Sequence, residues 1–208
     1  MNFFERIADP ADWEALLELE SMTNPSVINL VGDISNIPIE DRITGPGAGR
    51  VMPSFTFLDQ TPMGSRFSNS QFGAYYASND IETAIAETIN NRERFMRDHN
   101  ITAAQELDHL VILANITGSF HDIRNVRNEL PEVYNPNDYA VSQTLATSLK
   151  SDNSNGIVYQ SIRRTNGECI AVFRPPLIAN AREERHLTYI WDGTKIAGFY
   201  EKNRFQKI

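Results

Sequence analysis

The clearest periodic pattern in the chain lies between residues 81 and 98, where apolar side chains recur every three to four positions. This stripe consists of Ile81, Ala84, Ile85, Thr88, Ile89, Phe95 and Met96. Such spacing places the stripe on one face of an α-helix. Asn79 and Glu82 have the spacing of a capping box at its start. We therefore predict a helix that begins after Asn79 and ends near Asp98.

Two further helices are predicted from start signals and apolar spacing. Asp9 and Pro10 suit the N-cap and the first helical position of a helix over residues 10–21. The breaker cluster at 135–138, Asn-Pro-Asn-Asp, precedes a second helical pattern over residues 139–149. Between these helices, residues 34–62 carry many glycines and prolines, so we expect a shaped loop region there without a long regular element.

Short apolar and aromatic runs predict the strands. They are Phe72–Ala77, Leu110–Ile116, Ser119–Ile123, Gly156–Ile162, Glu168–Phe173, Leu187–Trp191 and Lys195–Tyr200. Asn166-Gly167 and Asp192-Gly193 each separate two such runs and are typical of tight hairpin turns. Because the late strands come as neighbouring pairs and do not alternate regularly with helices, we predict an α+β fold of mixed and antiparallel sheets flanked by helices.

Composition restricts the class of protein. A chain of 208 residues with 41% hydrophobic and 22% charged residues is typical of one globular domain, here residues 1–208. The start of the chain has no basic segment and no apolar run reaches the roughly 18 residues of a membrane span, so neither export nor membrane insertion is expected. The single cysteine, Cys169, suits a small buried hydrophobe in a reducing cytoplasm.

Charge and motif searches exclude several partners and chemistries. The formal net charge of −8 disfavours broad contact with nucleic acid phosphates. One cysteine and scattered histidines at 99, 109, 121 and 186 offer no metal-ligand spacing, so no metal is expected. The glycine-rich signatures of Rossmann and P-loop nucleotide sites are absent from the sequence, as is the Gly-x-Ser-x-Gly motif of hydrolases.

Four residues in ordered motifs carry a family resemblance. Arg66 lies in the run Gly-Ser-Arg-Phe-Ser, Tyr76 follows ten residues later at the end of an aromatic strand, and Glu87 follows eleven beyond it on the predicted helix. Ser161 ends the later run Gly-Ile-Val-Tyr-Gln-Ser. In this order and spacing, the motifs resemble the arginine, tyrosine, glutamate and serine of the RES domain family.

The resemblance spans roughly residues 42–176 and has departures. Serine, phenylalanine and serine stand at 65, 67 and 68, where the family more often has glycine, tryptophan and asparagine. The family's upstream arginine corresponds to Arg42 or Arg50, and we favour Arg42 because it lies beside the Gly-Pro-Gly loop. On this basis the chain divides into an N-terminal helical extension (1–41), a motif-bearing core (42–176) and a C-terminal hairpin (177–208).

The resemblance implies a fold similar to ADP-ribosyltransferase toxins and an NAD⁺-cleaving toxin, a glycohydrolase or phosphorylase. NAD⁺ is then a substrate and no resident cofactor is implied. The implied partners are NAD⁺, inorganic phosphate as an acceptor, and an antitoxin of the Xre type with a helix-turn-helix. Two alternatives stay open: a protein-directed mono-ADP-ribosyltransferase, and a non-catalytic interaction module.

Each motif residue suits a step of that reaction. Arg66 and Arg42 are expected to bind the diphosphate, because a guanidinium matches phosphate oxygens in a bidentate way. Tyr76 is expected to stack on the cationic nicotinamide. Glu87 is the expected catalytic carboxylate beside the developing oxocarbenium. Ser161 lacks an evident histidine base, so we expect it to position either Glu87 or the nicotinamide amide.

The period of two in a strand adds a further expectation, that Tyr75 points into the core on the face opposite Tyr76. Taken singly, the motif residues also have ordinary structural interpretations. Arg66 could tether a loop, and Tyr76 could pack in the core. Glu87 could form an exposed salt bridge, and Ser161 could form a hydrogen bond at a strand edge. Only their joint spacing favours a site.

Overall fold

The computed structural model describes residue 32 and residues 34–58 and 64–202. Its helices are α1 (Ala48–Val51), α2 (Pro53–Thr56), α3 (Ile81–Asp98) and α4 (Ala140–Ser151). Single turns of 3-10 helix occur at Ile34–Asn36, Ile39–Asp41, Pro131–Tyr134 and Pro175–Leu177. Within residues 34–58 the regular elements are helices of three or four residues, as the density of glycine and proline predicts. The helix predicted over 10–21 lies outside the described residues.

In the part of the chain that the structure describes, seven strands form two sheets. They are β1 (Tyr75–Ser78), β2 (Gln105–Ile116), β3 (His121–Asp122), β4 (Gly156–Gln160), β5 (Glu168–Val172), β6 (Ile178–Trp191) and β7 (Ile196–Glu201). One sheet has the order β1-β5-β4-β3 and is mixed, because β3 and β4 pair in parallel. The other, β2-β6-β7, is antiparallel throughout. The prediction of an α+β fold with mixed and antiparallel sheets is confirmed at this level.

The mixed sheet has an apolar cluster on each face. Tyr159 and Ala171 face one cluster, which α4 covers, whereas Tyr75 and Val172 face the second, which α1, α2 and the antiparallel sheet cover. Adjacent residues of a strand alternate between the two, as the strand period requires. Tyr75 and Tyr76 accordingly belong to opposite faces, and the prediction that Tyr75 points into the core is confirmed.

Cys169 lies in the first cluster and is 4% exposed, so the prediction of a buried small residue is confirmed. Burial raises the pKa of its thiol to about 11. The hairpin predicted around Asp192-Gly193 is also confirmed, as the turn between β6 and β7. The Asp192 side chain accepts hydrogen bonds from the N–H groups of Thr194 and Lys195, which closes this turn.

The long helix α3 is confirmed over Ile81–Asp98, but its predicted cap is wrong by one residue. Asp80, not Asn79, is the N-cap, and its Oδ1 accepts from the Thr83 N–H over 2.8 Å. The amide of Asn79 instead donates to Glu168 at the start of β5. Tertiary pairing of Asn79 with a neighbouring strand therefore decides which residue caps the helix.

Two residues of α3 also differ from the predicted apolar face. Phe95 is 41% exposed and stacks on the ring of His99, whereas Thr83, which the periodicity leaves outside the stripe, is fully buried. The helix packs by its first turns against the loop after β4, so a small polar residue there is enclosed. This contact brings the next turn of the helix, with Glu87, to the same loop.

Candidate functional site

Arg66 lies in a tight turn that precedes β1. A backbone bridge closes the turn, in which the Ser65 N–H donates to the Ser68 carbonyl oxygen over 3.1 Å. Gly64 enters the turn with φ of +67°, and a Cβ there would lie 2.4 Å from the same carbonyl oxygen. Only glycine fits this approach. The chain thus holds Arg66 and Phe67 at fixed positions, with Phe67 fully buried.

The Arg66 side chain is 8% exposed and tethers the loop before α4. Its Nη1 donates to the carbonyl oxygens of Val133 and Asn135, each over 2.9 Å. Its guanidinium carbon lies 4.7 Å from the centre of the Tyr139 ring. Nη1 has two hydrogens, so both are used, whereas Nη2 and Nε form no hydrogen bond with described residues. The tethering interpretation therefore holds for Nη1 and leaves the other donors for a ligand.

Tyr76 is linked to the same turn through its hydroxyl, which accepts from the Phe67 N–H over 2.8 Å and lies 3.4 Å from the Ser68 hydroxyl. Burial raises the pKa of Tyr76 to about 12, and these hydrogen bonds only partly oppose the rise. The phenol is thus neutral at physiological pH. Tyr76 also lines a cavity of about 450 Å³ between the Arg66 turn and α2.

The strongest link between two motif residues is the hydrogen bond from Ser161 to Glu87. The Ser161 hydroxyl donates to Glu87 Oε1 over 2.6 Å and accepts from the N–H groups of Arg163 and Arg164, each over 3.0 Å. A hydroxyl has one hydrogen and two lone pairs, so all three are engaged. Because the proton points to Glu87 and no histidine contacts it, the geometry favours a positioning role for Ser161 over a nucleophilic one.

The hairpin predicted around Asn166-Gly167 is confirmed, but its first strand is shorter and its connection longer than the sequence indicates. β4 ends at Gln160 and β5 begins at Glu168, so residues 161–167 connect the two strands. The strands do pair antiparallel. The chain leaves the strand at Ser161 because the Ser161 hydroxyl accepts from two successive N–H groups, those of Arg163 and Arg164. The chain then forms a turn in which the Gly167 N–H donates to the Arg164 carbonyl. We call residues 161–167 the Ser161 loop.

Helix α3 docks on the Ser161 loop through Thr83, which lies one helical turn before Glu87 on the same face. The Thr83 hydroxyl donates to Asp80 over 2.8 Å, and Arg164 Nη1 contacts both residues at about 3 Å. Hydrogen bonds from Thr83 and the nearby Arg164 charge lower the pKa of Asp80. An added Cβ on Gly167 would lie 2.7 Å from the Thr83 hydroxyl oxygen. Glycine is therefore what permits this close approach.

Replacing Gly167 by alanine is expected to lower the free energy of unfolding by about 1–3 kcal/mol, since the added Cβ would lie 2.7 Å from the hydroxyl oxygen of the fully buried Thr83. Urea denaturation measures the loss. Gly198→Ala is the matched control, because a Cβ at Gly198 meets no described atom within 4 Å. Equal stabilities for the two variants would show that helix and loop do not depend on this approach.

Tyr159 on β4 is a buried side chain whose pKa reflects the charges of two motif residues. The ring of Tyr159 on β4 packs edge-on against Phe67 with centroids 4.9 Å apart. Burial raises the pKa of Tyr159 well above its usual value, while the charge of Glu87 adds to this rise and that of Arg66 opposes it.

The two candidates for the upstream arginine have different surroundings. Arg42 is half-buried and its Nε donates to the Ile37 carbonyl over 3.1 Å. Arg50 forms an ion pair with Glu183 on β6, with 2.7 Å between Nη2 and Oε1, and this pairing lowers the pKa of Glu183. The described hydrogen bond of Arg42 thus lies in the loop region before α1. Its assignment to the substrate stays a prediction.

A second cavity, of about 260 Å³, lies beside Ser161 and is lined by three arginines. Arg127 comes from the segment after β3, and Arg163 and Arg164 come from the Ser161 loop. We call it the Ser161 cavity. The motif search did not identify Arg127, and it gave Arg163 no role although this residue lies two positions after the motif serine. That proximity is the only local signal for it.

Among the residues described, no helix combines the length and the apolar character that a membrane span requires. The same part of the chain holds no cluster of three or more histidine, cysteine or acidic side chains arranged for a metal ion.

Comparison with known proteins agrees with the motif geometry. The model of the RES domain matches residues 39–192, which includes Arg66, Tyr76, Glu87 and Ser161. The chain is also 26% identical over 207 residues to the uncharacterized protein y4oC of Sinorhizobium fredii (strain NBRC 101917 / NGR234), with 95% of this chain and 80% of that protein covered. Because the family model spans most of the chain, the protein belongs to the RES domain family.

Proposed function

We propose that this protein cleaves NAD⁺ at the nicotinamide–ribose bond, with Glu87 as the catalytic carboxylate. The observation that carries the proposal is the 2.6 Å hydrogen bond from Ser161 to Glu87 Oε1. It orients a half-buried carboxylate next to Ser161, which lines the Ser161 cavity. Among described residues Glu87 forms no ion pair and no second hydrogen bond, so Oε2 is left to accept from a substrate hydroxyl.

The chemistry of the bond explains why one oriented carboxylate suffices. Nicotinamide leaves as a neutral molecule from a cationic ring, and the ribose acquires oxocarbenium character in the transition state. A fixed negative charge beside the ribose stabilises the transition state, with its positive charge on the ribose, more strongly than the ground state. An oriented group also needs little reorganisation when the bond breaks. In this scheme Ser161 holds one carboxylate oxygen and the other accepts from the ribose hydroxyls.

Arg66 and Tyr76 have supporting roles in the same proposal. The Nη2 and Nε donors of Arg66, which bind no described residue, suit a phosphate oxygen of NAD⁺. Tyr76 borders the 450 Å³ cavity and its phenol is neutral, and the electron-rich face of such a ring suits the cationic nicotinamide. Arg42 is retained as a further residue for the diphosphate.

The resemblance to RES toxins supports two further parts of the proposal. The unregulated reaction would deplete the cell of NAD⁺ and arrest growth, and an Xre-type antitoxin would bind the chain and restrain it. A protein-directed mono-ADP-ribosyltransferase shares the same donor site and differs only in the group that attacks the ribose. Since no contact favours a protein acceptor over water or phosphate, transfer to protein is treated as an outcome of the test.

The test is to incubate the purified protein with NAD⁺, with and without inorganic phosphate, and to quantify NAD⁺, nicotinamide and the ribosyl product. Release of nicotinamide with ADP-ribose identifies a glycohydrolase. A rate that depends on phosphate, with ADP-ribose 1″-phosphate as product, identifies a phosphorylase. Nicotinamide release that requires added cell lysate, with label from NAD⁺ on protein, indicates a transferase. Failure to release nicotinamide under all three conditions would contradict the proposal.

A further inference from the structure

The Ser161 cavity has an unusual charge for this protein. The chain has a formal net charge of −8, with 27 acidic and 19 basic residues. Yet the residues that line the cavity include three arginines and no aspartate or glutamate. They are Arg127, Gln160, Ser161, Ile162, Arg163, Arg164, Thr165 and Asn166. The cavity is therefore a local cationic region on an acidic protein.

Two of the three arginines have no charged partner among the described residues. Arg164 is neutralised by Asp80, with 3.0 Å between Nη1 and Oδ1. Arg163 instead donates from Nη2 to the Pro136 carbonyl over 2.8 Å, and Arg127 lies over the Tyr134 ring at 5.7 Å. Neither forms an ion pair with any described residue. Their positive charges are thus available to an anion that enters the cavity.

The orientation of Arg163 follows from the same loop that orients Glu87. Its backbone N–H is held by the Ser161 hydroxyl, and its side chain reaches Pro136, in the loop that Arg66 tethers through Asn135. Arg127 is exposed, stacks on a buried tyrosine and also borders a neighbouring cavity of about 430 Å³. An anion between them would lie in the cavity that Ser161, the hydrogen-bond partner of Glu87, also lines.

We propose that Arg127 and Arg163 form a phosphate-binding site in the Ser161 cavity. The inference deepens the proposed NAD⁺ cleavage, on which it rests for its biological meaning. Two sources share this chemistry: the diphosphate of NAD⁺, and inorganic phosphate placed to attack the ribose beside Glu87. Guanidinium groups suit both, because they donate two parallel hydrogen bonds to phosphate oxygens.

Calorimetric titration of the full chain with inorganic phosphate alone, and with ADP-ribose alone, tests the site without turnover. Arg127→Gln is expected to weaken binding of at least one of these probes by about tenfold or more, the size of one lost charge-assisted hydrogen bond. Arg163→Gln is expected to do the same. Arg182→Gln is the matched control, since Arg182 is an exposed arginine on β6 and does not line the cavity.

The two sources give different results. If ADP-ribose displaces phosphate and both variants weaken both probes, the site binds the diphosphate. If phosphate binds together with ADP-ribose and only phosphate is weakened, the site binds the acceptor. The proposal would be overturned if both cavity variants bound both probes as tightly as Arg182→Gln does. It would also be overturned if the unaltered chain bound neither probe. Arg163→Gln also removes the hydrogen bond to Pro136, so its free energy of unfolding is measured by urea denaturation. Arg127→Gln breaks no described hydrogen bond.

This test separates the inference from the proposed function. A chain that binds phosphate through Arg127 but releases no nicotinamide from NAD⁺ would retain the anion site and contradict the enzyme. If both cavity variants cleave NAD⁺ with unchanged KM and phosphate dependence and bind neither probe more weakly, the proposed NAD⁺ cleavage would stand and the phosphate site would be contradicted.

Discussion

Glu87→Gln is expected to lower kcat for NAD⁺ cleavage by about 10²–10³-fold, the usual effect of removing one oriented group that stabilises transition-state charge. Glutamine has the size of glutamate, and its amide oxygen still accepts from Ser161, so the expected loss reflects the missing negative charge. Nicotinamide release at saturating NAD⁺ measures it. Glu82→Gln is the matched control on the same helix, because Glu82 is exposed in the first turn of α3.

Folding must be unaffected for this result to bear on catalysis. Urea denaturation of Glu87→Gln should give a free energy of unfolding within about 1 kcal/mol of the unaltered chain, since the Ser161 hydrogen bond is retained. Turnover in Glu87→Gln equal to that in Glu82→Gln would remove Glu87 from the catalytic role.

Phe67→Ala is expected to lower the free energy of unfolding by about 3–5 kcal/mol, as for other large aromatic side chains removed from a core. Phe67 is fully buried and its ring packs edge-on against Tyr159. Removing the ring would leave an empty space next to the Arg66 turn, which could be filled only if the neighbouring strands or α4 moved. Urea or guanidinium denaturation gives the value.

Phe95→Ala supplies the comparison for this prediction. It removes the same ring from an exposed position on α3, where the ring contacts His99, so the expected cost is below about 1 kcal/mol. Costs of similar size for the two variants would mean that Phe67 is not part of the core. Nearly intact stability of Phe67→Ala would mean the same.

Much of the secondary structure follows from local patterns. Helix α3 and its end at Asp98 follow from a stripe of apolar residues, and the hairpin at Asp192-Gly193 follows from its turn residues. Both signals act between residues close in sequence, so the chain encodes them without knowledge of distant neighbours. The residue that caps α3 and the end of β4 differ from the local prediction, because Asn79 and Ser161 form hydrogen bonds with partners far along the chain.

The candidate site divides in the same way. The sequence by itself determined which residue types stand at 66, 76, 87 and 161, and their order and spacing were enough to identify the RES domain family. It left open whether Ser161 contacts Glu87, and it assigned no role to Arg127 or Arg163. These depend on contacts between distant segments, which local periodicity does not encode.

Only the tertiary structure decided that Ser161 donates to Glu87 across 74 positions of sequence, and that Thr83 approaches Gly167 closely enough to hold the helix there. It also decided that Arg66 uses Nη1 on backbone carbonyls. The physical reason is that a buried polar group must find a partner wherever the packed chain provides one. The sequence determined the residues of the site, and packing determined which of their donors and acceptors are already engaged.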